Sequence, residues 1–183
     1  MHTHRISSLL LLTSGSLLGI HAFMWPLYLP NSEFFLFQSQ SSRALAILIA
    51  VVAVGVITLD ISNGALDSKS VALLGVMSAL IAALRLVGAG AIGVEPMWFL
   101  LILSSFVFGS SFGFLLGVQS MLLSAFLTGG FGPWLPYQIF AAGWIGLLAG
   151  LIPKVKRFQV PVIAIASIVL AELFGILMDL QFW

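Results

Sequence analysis

Between Glu95 and Lys154 the chain runs for 58 residues without an Asp, Glu, Lys or Arg. No soluble domain hides so long a stretch, because most of a folded surface has to face water. The whole chain of 183 residues carries only 13 ionisable Asp, Glu, Lys and Arg side chains, and 61% of it is apolar. A typical globular chain is about 25% charged. The composition excludes a soluble enzyme and a disordered chain, and predicts an all-α, polytopic transmembrane helix bundle whose exterior is solvated by the lipid bilayer. The net charge of +1 leaves no basic surface for nucleic acid. Without cysteine there is no disulfide, thiolate metal site or cysteine nucleophile.

A spanning helix needs about 20 mostly apolar residues. The sequence offers Ile6–Trp25, read as a retained helix and not a cleaved signal because no A-x-A-like site follows it. Ala44–Ile61 and Ser70–Val87 come next, the latter broken by Gly88 and Gly90. The apolar stretch Pro96–Thr128 is too long for one crossing. Small and polar residues at Gly109-Ser110-Ser111 predict a break there, giving Met97–Phe108 and Phe112–Thr128. After a Gly- and Pro-rich turn over 129–136 follow Tyr137–Ile152 and Val160–Leu180. Seven crossings place Arg5, Lys69, Lys154, Lys156 and Arg157 on one side, which the enrichment of basic residues in inner loops marks as cytoplasmic. The N-terminus is then cytoplasmic in a multi-pass protein of the cell membrane.

No catalytic constellation is visible. The histidines are confined to His2, His4 and His21, and no H-E-x-x-H, G-x-S-x-G or phosphate-loop pattern occurs. The chain is therefore expected to be no enzyme, with no catalytic residue, cofactor or metal. Small residues recur every four positions in three rows: Gly75/Ala79/Ala83, Gly109/Gly113/Gly117 and Ala142/Gly146/Gly150. Such rows let helix backbones approach closely, inside the bundle or against another membrane subunit. Polar and aromatic groups collect toward the predicted outer side: Arg85, Glu95, Trp98, Trp134, Tyr137 and Gln138. Each has a blander reading, an interfacial aromatic belt for the rings and an Arg85–Glu95 ion pair for the charges. Together they read as a substrate-binding pocket opening outward, in which Gln119 and Gln138 could meet a ligand's polar edge. Glu172, about midway along the last helix, must face the bundle interior, a cavity or a partner protein; Asp179 lies near that helix's outer end.

Several segments resemble the substrate-binding S components of energy-coupling factor (ECF) transporters, in a branch common in actinobacteria. They are Ala72–Arg85, the run from Glu95 to Leu103, Val107–Gly117, and above all Leu127–Gln138 with Ala141–Pro153. The likeness covers roughly Leu59 to Trp183. It implies two N-terminal transmembrane helices over 1–62 and an S-component-like core over 63–183. Five core helices are counted where the family usually has six, so a last helix is expected to be missing. The resemblance further implies capture of a vitamin or related micronutrient from outside, with cobalamin one candidate. The implied partners are an ECF scaffold transmembrane subunit and two cytoplasmic ATPase subunits, with Gly75, Ala79 and Ala83 matching the family's partner-docking face. The competing reading is a structural or assembly membrane protein with no small-molecule ligand.

Overall fold

The computed structural model describes residues 2–24, 27, 34–64, 66–88, 95–155 and 157–182, with side chains from Ser7 in the first helix, from Gln40 in the second and up to Leu180 in the last. The described residues form seven helices: α1 (His2–Phe23), α2 (Phe34–Ser62), α3 (Ser68–Gly88), α4 (Met97–Phe108), α5 (Ser110–Thr128), α6 (Leu135–Ala149) and α7 (Gln159–Phe182). All seven expected segments are present. Four contain spans long and apolar enough to cross a membrane: Gln40–Ser62, Ser68–Val87, Ser110–Thr128 and Gln159–Leu180. The largest departure is α2, which starts ten residues before the expected Ala44. Its early turns carry Gln38, Ser39, Gln40, Ser41 and Ser42, a polar run ahead of the apolar segment expected from Ala44.

The break in the long apolar stretch falls at one residue. Gly109 has φ +99°, a region open to glycine because it lacks a Cβ. The turn lets α4 double back along α5. At the other end of α5, Gly129 in the left-handed region closes the helix, with its N–H donating to the Ala125 carbonyl. Pro136 sits in the first turn of α6, where its missing N–H costs nothing. Asp67 precedes α3 and accepts from the Ser70 N–H (2.8 Å) and hydroxyl (2.7 Å), an N-cap. These bonds hold the Asp67 carboxyl below the usual carboxylate range.

The crossing directions alternate. A cavity of about 290 Å³ is lined together by Leu9 of α1, Asp60 of α2, Ser70 of α3, Phe108 of α4, Ser110 of α5 and Gly150 of α6. Odd-numbered helices therefore begin, and even-numbered helices end, at this Gly109 end of the bundle. At the opposite end, α3 and α5 finish and α6 starts.

α5 and α6 form the centre. Their seam is dry and close: a Cβ on Gly113 or Gly146 would collide with the other's backbone carbonyl, and one on Gly117 with the carbonyl of Ala142. Phe114, Leu115, Leu116, Phe140, Ala141 and Ile145 are fully buried around it. At about 18 Å and 22 Å, α4 and α6 are shorter than the roughly 30 Å hydrocarbon core. Neighbours shield α6: eleven of its residues are buried, Tyr137 and Phe140 completely.

The N-terminal pair packs on this core through α2–α6 and α1–α6 contacts. Phe23 of α1 meets Tyr137 edge-on at 5.1 Å and Trp144 at 5.3 Å. Gly19 lies so close to the Phe140 ring that a Cβ would collide with it. The Trp144 indole N–H donates to Ser16 at 2.8 Å. Near the Gly109 end, the Ser8 hydroxyl donates to the buried Asp60 carboxylate, joining α1 to α2.

Candidate functional site

At the end where α3 and α5 finish, an arginine is held between three helices. The inner face of α3 carries Ser78 and, seven residues on, Arg85; that spacing puts both on one side of the helix. Arg85 donates from one terminal nitrogen to the Ser124 hydroxyl of α5 at 3.0 Å. From the other it reaches the Gln138 carbonyl oxygen of α6 at 3.4 Å, a long contact. Two turns deeper, Ser78 donates to the Gln119 carbonyl oxygen at 3.2 Å. The result is a polar line between α3 and α5 that opens toward the start of α6.

Among the described residues, the charge of Arg85 is met there by neutral oxygens alone. Glu95, the alternative partner, accepts instead from the Trp98 indole N–H at 3.0 Å. An Arg85–Glu95 pair is not formed, and Arg85 keeps N–H donors beyond the two it uses, since a guanidinium has five. A half-buried cation with spare, fan-shaped donors can bind carbonyl or anionic oxygens of a ligand in two places at once.

The six candidate residues fall into distinct settings. Arg85 and Gln138 are in direct contact. Glu95 and Trp98 form a second group at the start of α4, where Trp98 stacks on Phe174 of α7 at 4.5 Å between centroids. Trp134 folds over Gly132, whose missing side chain makes room for the indole. Tyr137 points away from Arg85 because neighbouring helical residues diverge by about 100°. It is fully buried, its ring against Phe23 and its hydroxyl 2.5 Å from Ser41 of α2. Most of the connection Gly88–Gly93, expected to flank the site, lies outside the described residues.

Sequence reading did not single out Ser124, Ser78 or Phe174. The seven-residue spacing of Ser78 and Arg85 was an available signal. The contacts of Ser124 and Phe174 cross between helices and leave no local trace.

The rows of small residues divide. Gly113 and Gly117 of one row, and Ala142 and Gly146 of another, meet each other in the α5–α6 seam. Gly75, Ala79 and Ala83 stay exposed on α3 beside Val76 and Leu80, and a Cβ on Gly75 would touch nothing within 4 Å. On α7, Glu172 and Asp179 are both exposed, so Glu172 faces neither the bundle interior nor a cavity within it.

A family model described as "ECF-type riboflavin transporter, S component" matches residues 65–183. The chain belongs to this family. It is an S component, the substrate-binding membrane subunit of an ECF transporter, and its family is one of transporters and not of enzymes. The match starts just before α3 and so covers the five-helix core, leaving α1 and α2 outside it. Neither the curated proteins nor the solved structures contain a match.

Proposed function

We propose that this S component captures a vitamin from the cell exterior at the Arg85 site and hands it to an ECF importer. The observation that carries the reading is Arg85, suspended between Ser124 and Gln138 with donors to spare. The family's description favours riboflavin over cobalamin as the ligand. The paired carbonyls of an isoalloxazine ring match a guanidinium fork and the Gln138 amide. Trp98, Trp134 and Glu95 supply the rim, and Tyr137 braces the α6 wall from behind.

Lys69, Lys154 and Arg157 lie at the Gly109 end, which supports a cytoplasmic position for that end and an outward-facing Arg85 site. The N-terminus is then cytoplasmic. The exposed Gly75/Ala79/Ala83 face supports docking to the scaffold subunit, which with two cytoplasmic ATPases would complete the importer.

Purified chain in detergent, titrated with riboflavin and separately with cobalamin, tests the reading. Riboflavin is expected to be retained through gel filtration, and Arg85→Gln to weaken binding about 10- to 100-fold, as expected for hydrogen bonds to a charged donor. Retention of cobalamin alone would reassign the ligand. Retention of nothing from a broad vitamin panel would favour the assembly-protein reading.

A further inference from the structure

We infer that Ser41 of α2 is a positioning residue for the substrate site: its hydrogen bond to Tyr137 sets where the neighbouring Gln138 stands against Arg85. The inference rests on the Arg85 reading above and deepens it, because it gives the helix pair outside the family match a part in ligand affinity.

The glycine seam fixes α6 against α5 from Ala142 onward, where a Cβ on Gly117 would collide with the Ala142 carbonyl. Gln138 stands one turn before Ala142 on the same face, beyond that contact. The next buried positions of α5 in that direction are Met121 and Ser124, so no glycine lets the two backbones meet there. The start of α6 has no cap to hold it either: Trp134, at the N-cap, makes no side-chain capping bond. The first turn is gripped from behind. Tyr137 is fully buried with its ring edge-on to Phe23 of α1, and its hydroxyl lies 2.5 Å from that of Ser41, itself buried in α2. Trp144, two turns on along the same face, bonds Ser16 of α1 at 2.8 Å, but that contact lies level with the seam and not with the site.

Tyr137 acts as a stiff lever. A tyrosine has two side-chain torsions, and burial between α1 and α2 holds both, so the hydroxyl contact at Ser41 defines how far the α6 backbone stands from α2. Gln138 shares a planar peptide unit with Tyr137 and moves with it. The Arg85–Gln138 contact, at 3.4 Å, is near the limit of a hydrogen bond, so a shift of a few tenths of an ångström makes or breaks it. Arg85, Ser124 and Gln138 all lie within residues 65–183 that the family model matches, and Ser41 does not. Ligand affinity in this chain then depends on a helix outside the matched core.

The full chain, purified in detergent, is titrated with riboflavin as Ser41→Ala, Tyr137→Phe and the double variant. Each single change should weaken binding about 3- to 10-fold, the span of one neutral hydrogen bond. The double variant should be no weaker than the weaker single, as for two ends of one bond. In a Gln138→Ala chain, Ser41→Ala should add less than about twofold, because nothing is left to position. Hydrogen–deuterium exchange in the ligand-free chain should rise over 135–139 in Ser41→Ala and stay unchanged over 142–149. Ser16→Ala, which cuts the lower bond to α6, should leave riboflavin affinity unchanged. Native affinity in Ser41→Ala, or an effect undiminished in the Gln138→Ala chain, would overturn the inference. So would exchange that rises evenly along α6, or an equal loss of affinity in Ser16→Ala, since either means general loosening. Arg85→Gln, measured alongside, separates the two claims. If it weakens binding while Ser41→Ala does not, the site reading stands and this inference alone fails; if it leaves binding unchanged, the site reading fails and the inference falls with it.

Discussion

The α5–α6 seam and the α3 stripe are written in the same residue pattern and have opposite fates. In the seam, Gly113 and Gly146 press backbone against backbone with no room for a methyl group. On α3, Gly75, Ala79 and Ala83 repeat the spacing but face outward, and among the described residues a Cβ on Gly75 would meet nothing within 4 Å. The spacing of small residues states that a helix can be approached closely. It does not state by what. Two of the three rows build the fold, and the third stays exposed.

Gly146→Leu should break the seam outright. The new side chain would begin at the Gly113 carbonyl, so α5 and α6 would have to separate through a core that includes Phe114 and Phe140. The loss should exceed the roughly 1–3 kcal/mol of ordinary overpacking, read as loss of a monodisperse gel-filtration peak. A well-folded Gly146→Leu protein would erase the distinction between the rows.

Ala79→Leu should do the reverse. Thermal unfolding of the isolated chain should shift by no more than about 0.5 kcal/mol, as for other exposed positions. Recovery of the scaffold subunit with the tagged chain should fall about tenfold or more, equivalent to about 1.4 kcal/mol. Equal recovery would remove the docking role from α3.

Paired alanine substitutions sharpen the contrast with a single methyl. Gly75→Ala enters open space in a helix and should leave stability unchanged or raise it by up to about 1 kcal/mol, the helical cost of glycine. Gly113→Ala should lower it. Similar melting shifts for the two would mean that the seam is looser than its geometry states.

The smallest effect concerns the start of α3. The Ser70 bonds lower the Asp67 pKa, so their contribution is present above the unfolded carboxylate value and is lost as pH falls through the lowered one. The stability advantage of the native chain over Asp67→Ala should therefore shrink on acidification below about pH 4. An advantage constant with pH would show that the carboxylate charge is not what caps the helix.

Much of the architecture was legible along the chain. The observed α4 has the bounds expected from the Gly109-Ser110-Ser111 break, because a charge-free run too long for one crossing has to turn where small and polar residues allow it. The Leu127–Gln138 segment pointed to the family that residues 65–183 match. The candidate site was legible as a list and not as a shape. Arg85 and Gln138 meet, while Tyr137, one residue away, turns to Ser41 and Phe23. The sequence did not tell them apart, because both are polar residues at the start of one helix.

Hydropathy and residue spacing are properties of the chain, and they determined the bilayer as solvent, the seven helices and the faces that permit close approach. Which face is buried depends on what the other helices cover, a non-local outcome of packing. Only the tertiary structure decided that Gly113 and Gly146 close the core, that Arg85 is met by neutral oxygens, and that Ala79 and Glu172 are left exposed.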